Sequence, residues 1–236
     1  MKIRMKFKKQ GALRFIGHLD ILRYFQKVMR RADVDICYSE GFSPHQIMSF
    51  AAPLGVGLLS NGEYVDIEVN TTKDSKTMIE QINRANAEGF EVTSYRQLED
   101  SAKNAMSMVA AADYKVWFKE GYEPDNRAAL FEKFKEFTQL EKIEIIKKTK
   151  KGEKSLDLKH YIYEVSINEK VIFMKLASGS SANIKPELVL TAFYETMGKE
   201  YPVFDFQVER EEVYADEGTE ISHRFISLEE YGVDIE

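Results

Sequence analysis

The hydrophobic period of this chain switches from two to 3.6 and back in the same order twice. That repetition limits the folds open to it. From Lys2 to Lys8 the residues alternate, with Ile3, Met5 and Phe7 on one side and Lys2, Arg4, Lys6 and Lys8 on the other. Such alternation predicts a half-buried strand, here with a basic outer face. Gly11 ends it. From Leu19 to Ala32 the period is helical: Ile21, Leu22, Phe25, Val28, Met29 and Ala32 share a face, and Arg23, Lys27 and Arg30 lie opposite. Asp20 falls in the first turn, where the helix dipole favours an anion. Short strands are expected at residues 35–38 and 46–50, around the loop Ser39 to Pro44. Residues 63–69 alternate again, with Val65, Ile67 and Val69 inward and Tyr64, Asp66 and Glu68 outward. Residues 75–85 read as a helix stopped by Gly89, and residues 90–98 as a strand.

Residues 99–112 carry no strong strand pattern and read as a junction. The order then repeats: a strand at 113–119, a helix at 125–137, a hairpin of 142–148 with 160–167, a strand at 170–176, a helix at 186–197 and a strand at 203–208. Both halves follow the split βαβ order. The expected fold is α+β, with tandem ferredoxin-like (βαββαβ) domains at 1–98 and 113–215. Residues 216–236 are expected to be a mobile acidic tail without a clear element. A single continuous α+β sheet domain is the competing architecture.

Charge is distributed unevenly. Residues 1–50 carry 10 Lys and Arg against 4 Asp and Glu, a net of +6, while the whole chain of 236 residues is −6, which leaves −12 for the rest. A basic N-terminal region in an acidic protein points to an anionic partner on one face. The single cysteine excludes an intrachain disulfide and fits a reducing compartment. The start MKIRMKFKKQ lacks the apolar core of a signal peptide. No apolar run approaches the ~18 residues of a membrane helix. The expected setting is cytoplasmic, with no membrane partner.

Several chemistries have no residues to carry them. The chain has no GxxxxGK[ST] loop, HExxH or GxSxG, and one cysteine cannot hold an iron–sulfur cluster. His18, His45, Asp20 and Cys37 have no recognised metal spacing, so neither metal nor cofactor is expected. What remains is binding. Arg23, Lys27 and Arg30, extended by Arg14 and Arg31, are candidates for contact with nucleic-acid phosphates. Phe15, Tyr24, Tyr38 and Phe42 are candidates for base stacking. The ordinary alternative is a solvated helix face. His18 is a candidate acid/base for RNA cleavage, but its helical phase places it nearer the apolar side, which favours a structural role. His45 is expected to tie its own loop together. Gly179, Ser180, Ser181, Asn183 and Lys185 precede Pro186 in a possible anion-binding loop at a helix start; an ordinary strand-to-helix turn is the alternative. The lysine-rich stretch from Lys147 to Lys159 is either a backbone clamp or a solvated loop.

The segments GALRFIGHLDILRYFQKVMRRAD, YSEGFSPHQIMSFAAPLGVG and GEYVDIEV resemble the radical-SAM-linked protein family, a bacterial domain of unknown function. SLDLKHYI and SGSSANIKPELVL look like its later landmarks. The family pattern reads SHLD, GFNPHP and PPLPVG, and this chain differs at Gly17, Ser43, Gln46 and Gly55. The family is distantly similar to the repeat-associated RNA-binding proteins of CRISPR systems. Those use tandem ferredoxin-like domains, and some cleave RNA with a histidine. The resemblance implies a separately encoded radical-SAM enzyme as partner. The expected function is an RNA-binding or substrate-presenting accessory protein for that enzyme, without catalysis of its own. The alternatives are a metal-independent RNA endonuclease using His18, and a protein–protein adaptor.

Overall fold

The structure is a computed structural model that describes residues 1–149, 152–219 and 221–236. β1 (Lys2–Lys9) leads through a 3₁₀ turn (Gly11–Phe15) to α1 (His18–Arg31). β2 (Met48–Phe50), β3 (Leu59–Glu68), α2 (Ser75–Ala85), β4 (Phe90–Leu98) and the short α3 (Ala105–Met108) follow. Next come β5 (Ala111–Phe118), α4 (Arg127–Thr138), β6 (Glu144–Thr149), β7 (Gly152–Asp157), β8 (Ile162–Ile167), β9 (Val171–Ala177) and α5 (Pro186–Thr196). β10 (Phe206–Asp216), β11 (Phe225–Ser227) and β12 (Val233–Asp234) end the chain. Two compact units result: Met1–Ala110 with Arg210–Glu236, and Ala111–Glu209. Both are mixed α+β with antiparallel strand pairing.

In the first unit β1 lies between β3 and β4, β2 pairs with β3, and β12 pairs with the outer side of β4. Ile3, Met5 and Phe7 alternate onto the face that α1 and α2 cover. There Phe7 meets Phe25 at 4.6 Å between ring centres, and Phe25 meets Phe90 at 5.5 Å. Tilted and edge-on rings at these separations add to the burial term that already dominates such a core. Asp74 starts α2 by accepting from Thr77 N at 2.9 Å. Asn83 fastens α2 to β4, donating to Val92 O and accepting from Val92 N.

The basic outer face expected for β1 is largely covered and ion-paired, with Lys2 and Lys8 at its margins partly exposed. Arg4 is 1% exposed and ion-paired with Asp66. Lys6 bridges Glu212 and Glu229 at 2.6 and 2.8 Å, and Lys8 pairs with Glu91. Lys2 donates to the carbonyls of Asp100 and Ala102. Burial pulls the Lys6 pKa down, but its hydrogen bonds to both glutamates and their charge together outweigh it and leave its pKa raised. An antiparallel sheet can leave one face to solvent. Here residues 102–108 and 227–229 cover the polar one; carboxylates answer Arg4, Lys6 and Lys8, and backbone carbonyls answer Lys2.

The C-terminal segment corrects the expectation of a mobile tail. β11 pairs with β10 through Tyr214↔Ser227 to Asp216↔Phe225, and β12 pairs with β4 through Val233↔Gln97. Residues 210–215, assigned from sequence to the second half, also belong to the first unit. The pattern hid them because EREEVYAD reads as solvent-facing. In fact Arg210 is 3% exposed and paired with Glu63 at 2.6 Å, while Glu212 takes Lys6 and the Tyr64 hydroxyl.

In the second unit the strand order is β5-β9-β8. Phe134, Phe137 and Phe193 bring α4 and α5 together, with Phe134 and Phe193 edge-on at 5.0 Å. The expected hairpin of residues 142–148 with 160–167 does not form. β6 instead pairs with β7 in a separate two-stranded ribbon, and β8 pairs with β9. Asp157 explains the switch: its carboxylate accepts from Ile143 N and Lys159 N, closing the ribbon at its base and starting a 3₁₀ turn. Lys150 and Lys151 of the lysine-rich tip lie outside the described residues. Among the described residues no helix is long and apolar enough to cross a membrane.

Candidate nucleic-acid interface

The basic face of α1 is built by helical spacing. Arg23, Lys27 and Arg30 recur at i, i+4 and i+7, which places them on one stripe. Ile21, Phe25, Val28 and Met29 are buried on the opposite side. All three cations are exposed. Arg23 lies 3.5 Å from Asp20, whereas Lys27 and Arg30 pair with no carboxylate among the described residues. Arg30 and Arg31 stand in the last turn, where cations complement the helix dipole. Arg31 is partly committed: it donates to Ala85 O at 2.9 Å, at the end of α2.

Two loops adjoin α1, one before it and one after it in sequence. The 3₁₀ turn before α1 carries Arg14, whose guanidinium lies 4.7 Å from the exposed Phe15 ring. Gly57 N donates to Arg14 O at 2.7 Å and so holds the segment bearing exposed Val56 against that turn. Beneath both, the buried Lys9 ammonium reaches Ile16 O at 3.3 Å and Gly55 O at 3.4 Å. Desolvation lowers its pKa, with Glu63 opposing and Arg210 adding to that shift. Arg210 anchors the same segment through Ala52 O.

The second loop runs from Tyr38 to Gln46, which bridge each other. Ser39 and His45 close it: Ser39 N donates to His45 O, His45 N donates to Ser39 Oγ at 3.1 Å, and the imidazole Nδ1 is 2.9 Å from that oxygen. Gln46 then ties the loop to α1 by donating to Gln26 O. Gly41 has φ +106°, a conformation in which a Cβ is strained. Phe42, expected to pack beneath it, is instead fully exposed at the loop tip. A five-residue tip closed by Ser39 and His45 leaves no apolar surface under it. Nothing lies within 4 Å of a Cβ at Gly41. Gly41→Val therefore carries backbone strain alone, and we expect a loss of about 1–2 kcal/mol in urea unfolding. An unchanged midpoint would contradict the assignment.

Of the stacking candidates, Phe15, Tyr38 and Phe42 are exposed. Tyr24 is not available: its ring packs 4.8 Å from Phe90 and its hydroxyl accepts from Ala87 N. Leu19 and Val56 are also exposed and were missed, because single apolar residues in a polar window carry no periodic signal. His18 lies edge-on to Phe50, 5.4 Å between ring centres, on the apolar side of α1.

The anion-loop candidates belong to the second unit. Gly179, Ser180, Ser181 and Asn183 precede Lys185, which caps α5 without a side-chain bond, and Pro186 is the first helical residue. Ile184 N donates to Ala177 O, and Glu187 occupies the first turn. A carboxylate there already answers the positive end of the helix. Lys159 donates to Thr138 O at 2.6 Å. No group of three His, Cys, Asp or Glu side chains converges as a metal set among the described residues.

Comparison with known families finds a match over residues 2–186 to the model of a family described as an uncharacterized protein conserved in bacteria, DUF2344. Comparison with curated proteins finds no match. A chain in the crystal structure of a Cbf5-Nop10-Gar1 complex is similar at TM-score 0.44 and 12% identity, over 89% of this chain and 48% of that one. This chain thus spans about half the length of that structural relative.

Proposed function

This chain belongs to the conserved bacterial family DUF2344, and from there we propose that it is an RNA-binding accessory protein whose α1 stripe grips the phosphate backbone. One observation carries the reading: Arg23, Lys27 and Arg30 are exposed on one helical stripe, and the rings of Phe15, Tyr38 and Phe42 are exposed on the segments that precede and follow α1. Cations that track a backbone, with aromatic faces beside them, are the two parts of a single-strand site. The fold that accompanies this reading is a pair of ferredoxin-like domains. The order β4-β1-β3-β2, with α1 after β1 and α2 after β3, supports it for the first unit. For the second unit, β5-β9-β8 with α4 and α5 supports it. A separately encoded radical-SAM enzyme is the partner this reading assigns, on the sequence resemblance alone. The protein presents RNA and does not cleave it. The packing of His18 on Phe50 supports a structural histidine.

Replacing Arg23, Lys27 and Arg30 together by glutamine tests the reading. RNA affinity is expected to fall, and the slope of log K against log salt to flatten by up to ~3, since each phosphate contact contributes just under one. The loss should be similar across RNA sequences, because phosphate contacts position without specifying. His18→Ala should lower stability and leave RNA affinity nearly intact. Titrations at several salt concentrations measure both. An unchanged triple variant removes the binding face, and RNA cleavage that disappears in His18→Ala replaces this reading with a nuclease.

A further inference from the structure

The second unit ends on an open strand edge. β8 is the last strand in its order and hydrogen-bonds only to β9 among the named strands. A groove of about 1070 Å³ runs beside it, lined by every residue from Ile162 to Glu169 and by one stripe of α4. A sheet face would offer alternate residues only, so consecutive lining places the groove along the backbone edge.

The ladder fixes which groups point into it. Asn168 N donates to Val171 O at 3.0 Å, and the register continues as Ile167↔Ile172, Ser166↔Phe173 and Val165↔Met174. Antiparallel pairs alternate between hydrogen-bonded and non-bonded. Ser166 therefore turns its amide and carbonyl to β9, and Val165 and Ile167 turn theirs outward. The same alternation sorts the side chains. Ile172 and Met174 are buried, and Val165 and Ile167 opposite them are half-buried on that face, whereas Ser166 is exposed on the other. An edge of this kind is a template for a further strand. Little in β8 prevents such pairing: its register shift is confined to Ile162 and Glu164, and Glu164 is its one charge.

Two observations select the strand that fits. The first is charge. Arg127, Lys135 and Lys159 line the groove against Glu132, Glu164 and Glu169. A balanced lining favours neither an acidic nor a basic peptide, nor a phosphate backbone. It suits an isologous contact, because a surface that meets its own copy must be its own complement. The second is the edge itself. A two-fold axis through Ser166 sets Val165 opposite the copy's Ile167, and Ile167 opposite the copy's Val165, with each pair exchanging both backbone bonds. β-Branched side chains then meet on the half-buried face. Ser166 meets its own copy on the exposed face, and Glu164 meets Asn168, so no like charges are opposed.

We propose that this protein forms a two-fold symmetric dimer in which β8 pairs antiparallel with β8 of a second copy, centred on Ser166. The sheet of the second unit then continues from one copy into the other. The inference rests on the second unit alone, without the RNA reading of α1.

The test uses the exposed side chain on the axis. Sedimentation of the full chain from micromolar to millimolar concentration should show a monomer–dimer equilibrium. Residue 166 alone meets itself across the axis. Ser166→Lys and Ser166→Glu should therefore each weaken the dimer by about tenfold or more through like charges, and an equimolar mixture of the two should restore it. In a Cys37→Ser background, Ser166→Cys should form an intermolecular disulfide on oxidation, because a non-bonded antiparallel pair brings its Cα atoms to about 4.5 Å. Glu164→Cys, which stands opposite Asn168, should not. The amides of Val165 and Ile167 should exchange more slowly with solvent as protein concentration rises. A chain that stays monomeric at millimolar concentration overturns the proposal. A dimer that both charged variants leave intact overturns it too, as does a mixture of the two variants that stays monomeric.

Discussion

Arg4→Ala is expected to cost about 3–5 kcal/mol of folding stability, the range for removing one partner of a buried ion pair. The Arg4 guanidinium donates to both carboxylate oxygens of Asp66, at 2.8 and 2.9 Å, and also to Leu228 O and Lys103 O. Asp66 in turn accepts from Ala105 N at 2.7 Å. Deleting the cation strands a carboxylate that is 12% exposed and removes the donor from two backbone carbonyls. The loss should extend beyond the pair. Segments 102–108 and 228–231 are held to β1 through these bonds, so their amides should exchange faster with solvent than those of α1. Urea unfolding and hydrogen exchange together measure this. The double variant Arg4→Met with Asp66→Leu should recover much of the loss, because an apolar pair of similar volume avoids the desolvation cost. A loss below about 1 kcal/mol in the single variant would reduce the pair to the rank of a surface contact.

Gly89→Ala should cost about 3 kcal/mol, a combination of backbone strain and steric overlap. Gly89 has φ +101° in the turn before β4. A Cβ there would stand 2.7 Å from Gln10 O and 3.1 Å from the Leu13 side chain. Gln10 N donates to Gly89 O at 2.7 Å, so the two backbones cannot separate without losing that bond. Gly41 also has a positive φ but no such neighbours, so comparison with Gly41→Ala isolates the overlap. Gln10 precedes the turn that carries Arg14 and Phe15, and its displacement should also weaken RNA binding at constant salt slope. A Gly89→Ala protein as stable as the parent would show that this turn relaxes freely.

The α1 stripe was legible in the sequence because it rests on one helix and one period. Arg23, Lys27 and Arg30 needed no tertiary information to share a face, and exposure followed from the buried residues opposite. The aromatic partners were only half legible. Phe15, Tyr38 and Phe42 are exposed at loop surfaces, but Tyr24, also aromatic, is consumed by Phe90 and Ala87 N. Residue type does not tell a ring that stacks outward from one that packs inward.

Local period and punctuation determined the elements: α1 from its apolar stripe, α2 as a helix stopped by Gly89, and β4 as the strand that follows. These depend on neighbours within a few residues, which the sequence states directly. Only tertiary structure decided where the charges of β1 and β10 go. Lys6 and Glu212 are 206 residues apart and each alone reads as solvent-facing. Together they are a partly buried pair that fastens the end of the chain to its beginning. Hydropathy scores one residue at a time, whereas burial of a charge depends on a partner that only the fold supplies.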